Sequence, residues 1–158
     1  SAADFKDQQE LLIKIETAIK SIHQSVTQMR NAQDQLKYYS TILKGKDSFT
    51  QLYDQAESIA EQLKNWEKEL IQPNQKTFQD VINFNNKLNA ELMYLKGYVD
   101  TEEPKVTQGA RDRYRDLNKT WQKHKDELKK IIEEDFKSFE KNYRAAKVPI
   151  LNVAIDSL

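Results

Sequence analysis

The chain has 158 residues, no cysteine, and as many Lys and Arg (25) as Asp and Glu (25), so its formal net charge is zero. Disulfides, thiolate metal sites and a cysteine nucleophile are therefore excluded, and a neutral chain lacks the general attraction of a basic protein to nucleic acid or anionic membrane. The length suits one domain with its own core. With only three Gly and three Pro, few breaks exist, so few and long elements are expected.

The first predicted helix covers about residues 4–44 and measures about 60 Å at 1.5 Å per residue. Apolar residues follow alternating steps of three and four along it. This spacing keeps one stripe, here called the seam, against a partner helix. Asp4 is predicted to be the N-cap and Gly45 the stop. The apolar seam residues are Phe5, Leu12, Ile15, Ile19, Ile22, Val26, Met29, Leu36 and Leu43, and Gln8, Gln33 and Ser40 fill polar seam positions.

Two shorter helices are predicted next, over about residues 47–72 and 75–98, because Pro73 cannot continue the first of them. The turn around Gly45 is short, so the first two helices should be antiparallel neighbours. Extra apolar residues widen the face of the third helix and suggest contact with more than one neighbour. The second seam comprises Phe49, Leu52, Ala56, Ile59, Leu63, Trp66 and Leu70; the third comprises Phe78, Val81, Leu88, Leu92, Leu95 and Val99, widened by Ile82, Phe84 and Met93.

A loop at about residues 100–109 precedes the fourth predicted helix, about 107–146. The phase of its seam slips near Ile131, as at a stutter in a coiled coil. Pro149 then breaks the helix, and residues 148–158 form a short apolar tail. We expect this tail to pack on the end of the bundle or on something outside this chain.

These elements predict an all-α fold, an antiparallel up-down four-helix bundle with coiled-coil-like packing over residues 1–158. The alternative joins the second and third helices across Pro73 into one kinked rod, which gives a spectrin-like three-helix bundle. In either case burial of the seams is the main stabilisation, at ~25 cal/mol per Å² of apolar surface. Trp66 and Trp121 are expected to anchor the core.

The two histidines are the first candidates for chemistry. A di-iron bundle needs Glu-x-x-His on two helices, and neither His23 nor His124 has a glutamate three residues before it. His124 and Glu127 could pair one turn apart, which makes a weak metal site. We therefore predict no metal and no cofactor.

Two charged stretches of the sequence are further candidate sites. Residues 111–123 interleave basic side chains with Tyr114 and Trp121, a composition that can bind single-stranded nucleic acid. Acidic residues intervene and the aromatic residues fall on the seam, so a solvated helix face is predicted and nucleic-acid binding is not. The carboxylates of Glu133, Glu134 and Asp135 point about 100° apart on a helix, so they cannot converge on one bond, and no catalytic residue is predicted.

The predicted interface residues are tyrosines near helix ends and apolar tail residues. Tyrosine presents a large ring and a polar tip, which suits protein contacts. Tyr39 and Tyr98 lie where a partner could reach them. The remaining candidates are Ile150, Leu151 and Ile155 of the tail.

Several strings resemble a known family: "DQQELLIKIETAIKSIHQSVTQMRNAQDQL" (7–36), "NFNNKLNAELMYLKGYVD" (83–100), "EEPKVTQG" (102–109) and "LKKIIEEDFKSFEKNYRAAKVPIL" (128–151). In this order they are similar to the C-terminal helical region of large bacterial exported proteins of the sortilin-like (VPS10-type), BNR-repeat glycosyl hydrolase class. The resemblance implies that this region follows a β-propeller, that any active site lies on that propeller, and that the location is periplasmic, cell-surface or secreted.

Three functional hypotheses follow. The first is a non-catalytic structural or protein-interaction module whose partner is the β-propeller of a longer polypeptide or another protein. The missing initiator Met and signal peptide agree with a processed form or a piece of a longer chain. The second is a self-associating coiled-coil adaptor that acts as a separate protein. The third is an enzyme or metal bundle that uses His124.

Overall fold

A computed structural model describes residues 1–73 and 85–150 of this chain. Within these ranges the protein is helical without any strand, and its helices pack against one another, so the predicted all-α bundle is confirmed. The elements are α1 (Ala2–Leu43), a 3-10 turn (Asp47–Phe49), α2 (Thr50–Leu70), α3 (Leu88–Val99), α4 (Gln108–Lys130), a π-helical turn (Ile131–Phe136) and α5 (Lys137–Ala145).

The helices α2 and α3 lie end to end along α1, and both run antiparallel to it. Arg30 in the second half of α1 pairs with Glu67 near the end of α2. Gln8 near the start of α1 bonds to Val99, the last residue of α3. Together the two short helices therefore cover most of the length of α1, and the four packed helical segments of the described residues form three columns, with α2 and α3 sharing the middle one.

The third column consists of α4, the π turn and α5, and it runs parallel to α1. At one end Arg111 of α4 pairs with Asp7 of α1 at 2.9 Å. At the other end the ring of Tyr143 in α5 lies against that of Tyr39, with centroids 4.9 Å apart. This column thus follows α1 over almost its whole length, and the seams face each other inside.

Both tryptophans are buried, as predicted for core anchors. Their ring centroids are 6.5 Å apart, and the Nε1 of Trp66 donates a hydrogen bond of 2.8 Å to the carbonyl of His124. The two rings therefore join α2 to α4 in the middle of the bundle. The largest fully buried side chains are Trp121, Ile15, Ile22, Leu43, Ile59, Leu63, Leu70, Leu92 and Val26.

The start of α1 differs from the prediction. Ser1, not Asp4, is the N-cap: its hydroxyl accepts a hydrogen bond from the Asp4 backbone, and the Asp4 carboxylate bonds back to Ser1. This reciprocal pair is a capping box, in which the acidic residue stands three positions after the cap. Phe5 was predicted as a seam residue but is 55% exposed. Gln8 lies beside Val99, the last residue of α3, and Phe5 is nearer the start of α1, past the end of α3.

The predicted third helix, 75–98, is wrong at residues 85–87, which are not helical. The helix α3 begins at Leu88 and ends at Val99. Asn85 and Asn86 stand just before it, and asparagine side chains favour local non-helical hydrogen bonds. The remaining predicted residues of this helix, among them Phe78, Val81, Ile82 and Phe84, lie outside the described residues.

The phase slip predicted near Ile131 coincides with the π turn at Ile131–Phe136. A π turn closes its hydrogen bonds over five residues, so it takes one extra residue per turn and rotates the stripe that follows. Ile131 is buried, and after the turn Phe139 faces the core. The predicted fourth helix, 107–146, is thus a continuous helical column from Gln108 to Ala145, with Thr107 as its N-cap.

Candidate interaction surface

A groove runs between the second half of α1 and the column that contains the π turn and α5. We call it the aromatic groove; its volume is about 380 Å³, which is within the range of small-ligand sites. Ile59 of α2 lies at its floor. Its walls are formed by Ala32, Gln35, Leu36 and Tyr39 of α1 and by Phe136, Phe139, Glu140, Tyr143 and Arg144.

The rings in this groove form a connected cluster. Tyr39 meets Tyr143 at 4.9 Å and Phe139 at 6.1 Å between ring centroids, both edge to face. Such arrangements are the favoured ones for aromatic pairs. Tyr38 touches Tyr39 at 5.8 Å but points away from the groove and is largely exposed. The cluster therefore fixes the ring of Tyr39, which is half-buried rather than free at a helix end.

Polar groups of the aromatic groove include free donors. Within the described residues, the hydroxyls of Tyr39 and Tyr143 and the amide of Gln35 make no hydrogen bond to other protein groups. The Glu140 carboxylate, by contrast, is held at 2.6 Å by Arg144. The groove thus combines apolar rings with hydroxyl and amide groups that can both donate and accept hydrogen bonds.

Burial raises the pKa of the Tyr143 phenol, and the neighbouring Tyr39 and Tyr38 add to this effect. The unfolded chain then releases the phenolic proton near pH 10, before the folded chain does. The contribution of the protonated Tyr143 phenol to the free energy of unfolding is complete below about pH 10, and it is lost as the pH rises through the pKa of this phenol in the folded chain. Replacing Tyr143 with Phe should reduce the loss of stability between about pH 8 and about pH 11, as measured by urea denaturation.

The matched control for that titration is Tyr94→Phe, a change on a largely exposed tyrosine of α3. It should leave the alkaline loss of stability as in the parent protein. An equal reduction in both variants would contradict the assignment of the effect to Tyr143.

A second surface is the outward side of α3, here called the α3 face and defined by Met93, Tyr94 and Tyr98. These side chains are 56%, 75% and 56% exposed, respectively. A groove of about 290 Å³ separates this face from the start of α4, where Arg113 pairs with Glu91. Tyr, Met and Arg are enriched at protein interfaces, so the composition of this surface suits a protein partner.

Tyr98 is the one residue of this face that the sequence predicts as an interface candidate. Met93 was predicted to contact another helix, whereas it is exposed among the described residues. Tyr94 was not predicted, although the spacing of four residues from Tyr94 to Tyr98 puts both side chains on one side of a helix.

The tail leaves α5 through Lys147, whose φ of +50° reverses the chain as at many helix ends. Val148 is half-buried against the core, whereas Ile150 is 98% exposed. The two other predicted interface residues of the tail, Leu151 and Ile155, lie outside the described residues.

A polar groove of about 620 Å³ lies between α1 and α2. At its base, two buried polar atoms lack a hydrogen-bond partner within the described residues: Nε2 of Gln33 and Oγ of Ser40. Both residues were predicted as polar positions of the first seam. Buried polar groups of this kind usually bond to ordered water, and the groove is wide enough to hold it.

Replacing Ser40 with Ala should raise the free energy of unfolding by about 0.5–1.5 kcal/mol. The change removes a buried hydroxyl that only water can satisfy among the described residues, and it adds helix propensity. Ser58→Ala on the exposed side of α2 is the control, since it gains only the propensity. Urea denaturation measures the free energy of unfolding of both variants. A larger increase for Ser58→Ala than for Ser40→Ala would contradict the view that the Ser40 hydroxyl lacks a protein partner.

The histidines and the basic stretch, which were the other candidate sites, do not come together in one place among the described residues. The Nδ1 of His124 lies 2.9 Å from Glu127, and His23 is exposed. In the ranges 1–73 and 85–150, no group of three or more His, Asp and Glu converges as a metal site would require. The basic stretch after residue 110 pairs with acids: Arg111 with Asp7, Arg113 with Glu91 and Arg115 with Asp112.

None of the helices in the described part of the chain combines the length and the apolar run that a membrane crossing requires.

Comparison with protein-family models, with curated proteins and with solved structures found no match for this chain. The resemblance to the helical region of sortilin-like exported proteins therefore stays a prediction from the sequence.

Proposed function

We propose that this bundle is a non-catalytic structural or interaction module that docks or spaces a larger exported β-propeller protein. The observation that carries the proposal is the α3 face, where Met93, Tyr94 and Tyr98 are each more than half exposed although the same helix buries Leu92 and Leu95. An apolar helix side that the described residues of the bundle leave uncovered is typical of an interaction site. The sequence resemblance supports the choice of partner and the exported location.

Photo-crosslinking in the source cells tests this proposal. A benzophenone amino acid replaces Tyr98 in the native protein, and in a control it replaces Lys119, an exposed residue of α4. We expect crosslinks from position 98, within the same long polypeptide or to another envelope or secreted protein, and few from position 119. Equal or absent crosslinking at both positions would contradict the proposal.

Self-association is the second candidate, and the same α3 face favours it, because a two-fold contact would place one such face against its copy. Light scattering of the purified chain separates the two. A concentration-dependent dimer that Tyr94→Ala abolishes supports the adaptor, and a monomer at high concentration contradicts it.

A further inference from the structure

The exposed positions of α3 lie together on one side of the helix. Met93, Tyr94, Gly97 and Tyr98 are exposed, and with 3.6 residues per turn they span an arc of about 140°. Tyr94 and Gly97 occupy the middle of this arc, with Met93 at one edge and Tyr98 at the other. The buried residues lie on the opposite side: Leu88, Leu92, Leu95 and Val99.

The described part of the bundle gives no packing reason for Gly97. A Cβ atom added there would meet no atom within 4 Å among the described residues. Its φ is not positive, unlike that of Gly45, so the backbone conformation does not require glycine either. Glycine is unfavourable inside a helix because it loses more backbone entropy on folding than alanine. What glycine provides at such a position is the close approach of another surface.

The missing side chain leaves a hollow in the α3 face, and the same face carries a side chain that fits it. Tyr94 is 75% exposed and stands one turn before Gly97. A two-fold axis midway between residues 94 and 97 turns α3 onto an antiparallel copy of itself. This operation places Tyr94 of each copy opposite Gly97 of the other, so one large side chain meets one hollow twice.

The same axis brings tyrosine rings of the two copies together. In an antiparallel pair of helices related in this way, equal edges face each other. Tyr98 of one copy then lies about 1.5 Å, the rise of one residue, from the level of Tyr94 in the other. Aromatic pairs at such contacts contribute beyond their buried area.

Charge does not oppose this contact. The chain has no net charge. The two charged residues of α3 are each paired within the chain, Glu91 with Arg113 and Lys96 with Glu16. Two copies can therefore approach through α3 without the repulsion that separates molecules of high net charge.

From this match we propose that two copies of the chain associate through antiparallel α3 helices, with Tyr94 of each copy seated on Gly97 of the other. The inference rests on the proposed interaction role of the α3 face and names its occupant and its register. In a longer polypeptide the contact would join two such molecules, which agrees with a docking or spacing role. One short helix buries less than a standard interface, so we expect a weak dimer.

Sedimentation equilibrium of the full chain up to millimolar concentration tests the contact. We expect a concentration-dependent dimer that Gly97→Leu weakens about 5- to 100-fold, because the added side chain fills the hollow that Tyr94 needs. A non-specific apolar patch behaves in the opposite way, since an extra leucine strengthens it. Gln24→Leu adds the same side chain to an exposed position of α1 and is the matched control, which should leave the dimer unchanged.

Mixing two variants tests the register. Tyr94→Ala alone leaves two unfilled hollows and Gly97→Leu alone blocks both, so each variant should dimerise poorly. In a mixed dimer one contact is unchanged, and in the other the large and small side chains have exchanged places. We expect the mixture to associate about 10-fold more tightly than either variant alone. Circular dichroism confirms that both variants are folded, since neither change removes a buried side chain.

A parent chain that stays monomeric at millimolar concentration would overturn the proposal. So would a Gly97→Leu dimer as tight as the parent dimer, or a mixture no tighter than the separate variants. These results are separable from the docking role. A monomeric chain with crosslinks from position 98 to a different protein would reject the second copy and leave docking, whereas a restored mixed dimer without crosslinks in cells would reject docking and leave the pairing.

Discussion

Replacing Trp66 with Ala should lower the free energy of unfolding by about 3–5 kcal/mol. The side chain is buried, its ring lies 6.5 Å from that of Trp121, and its Nε1 bonds to the His124 carbonyl. The substitution leaves a cavity between α2 and α4 where the interrupted middle column meets the third column. Leu63→Ala, one turn earlier and fully buried, should cost about 3 kcal/mol.

Chemical denaturation monitored by circular dichroism measures both effects. Tyr94→Ala is the control, because it also removes an aromatic ring from a helix but from a largely exposed position. Its cost should stay within about 0.5 kcal/mol, the usual range for surface changes. Unchanged free energies of unfolding for Trp66→Ala and Leu63→Ala would contradict the internal packing of the seams.

Replacing Gln8 with Ala should lower the free energy of unfolding by about 2 kcal/mol. The buried Gln8 amide donates to the carbonyls of Val99 at 2.8 Å and Thr101 at 2.9 Å. These bonds tie the end of α3 and the following loop to α1. Without them, the carbonyl of Val99 keeps only the Thr101 N–H as a partner. The end of α3 loses its hydrogen bonds to the start of α1, whereas the Lys96–Glu16 ion pair and the packing of the two helices remain.

Hydrogen exchange is the informative measurement for this variant. Amides of α3 should exchange faster in Gln8→Ala, and those of α2 should change less. Gln9→Ala is the matched control, because Gln9 is the same residue type at the next, exposed position. Uniform acceleration across all helices would show that Gln8 contributes to global stability rather than holding α3.

The seam spacing correctly predicted the fold class, because a repeat of 3.5 residues is a local property that a helix must satisfy wherever it packs. The same reasoning placed Trp66 and Trp121 in the core and found the phase slip that became the π turn. It failed at residues 85–87, where the pattern continues through Leu88 but the helix does not. Periodicity marks which side of a helix is apolar and does not show where the helix begins.

The candidate sites were less predictable for a related reason. Tyr98 was found from its place near a helix end, but the aromatic groove requires Tyr39 and Tyr143 to meet across more than 100 residues of sequence, since their numbers differ by 104. Gln8 appeared as a polar gap in the seam, and its partners on α3 were not visible from the pattern. Contacts between distant segments depend on the order of the columns, which local spacing does not encode.

The sequence by itself thus determined the helical class, the buried stripes and their aromatic anchors, because these follow from side-chain periodicity and size. The tertiary structure decided that α2 and α3 share one column, that Gln8 holds the end of α3, and that the aromatic residues around the π turn line one groove. Those outcomes depend on where each helix ends and on which segments then pack side by side. Both are decided by contacts between segments that are far apart in the sequence, so no single stretch of sequence determines them.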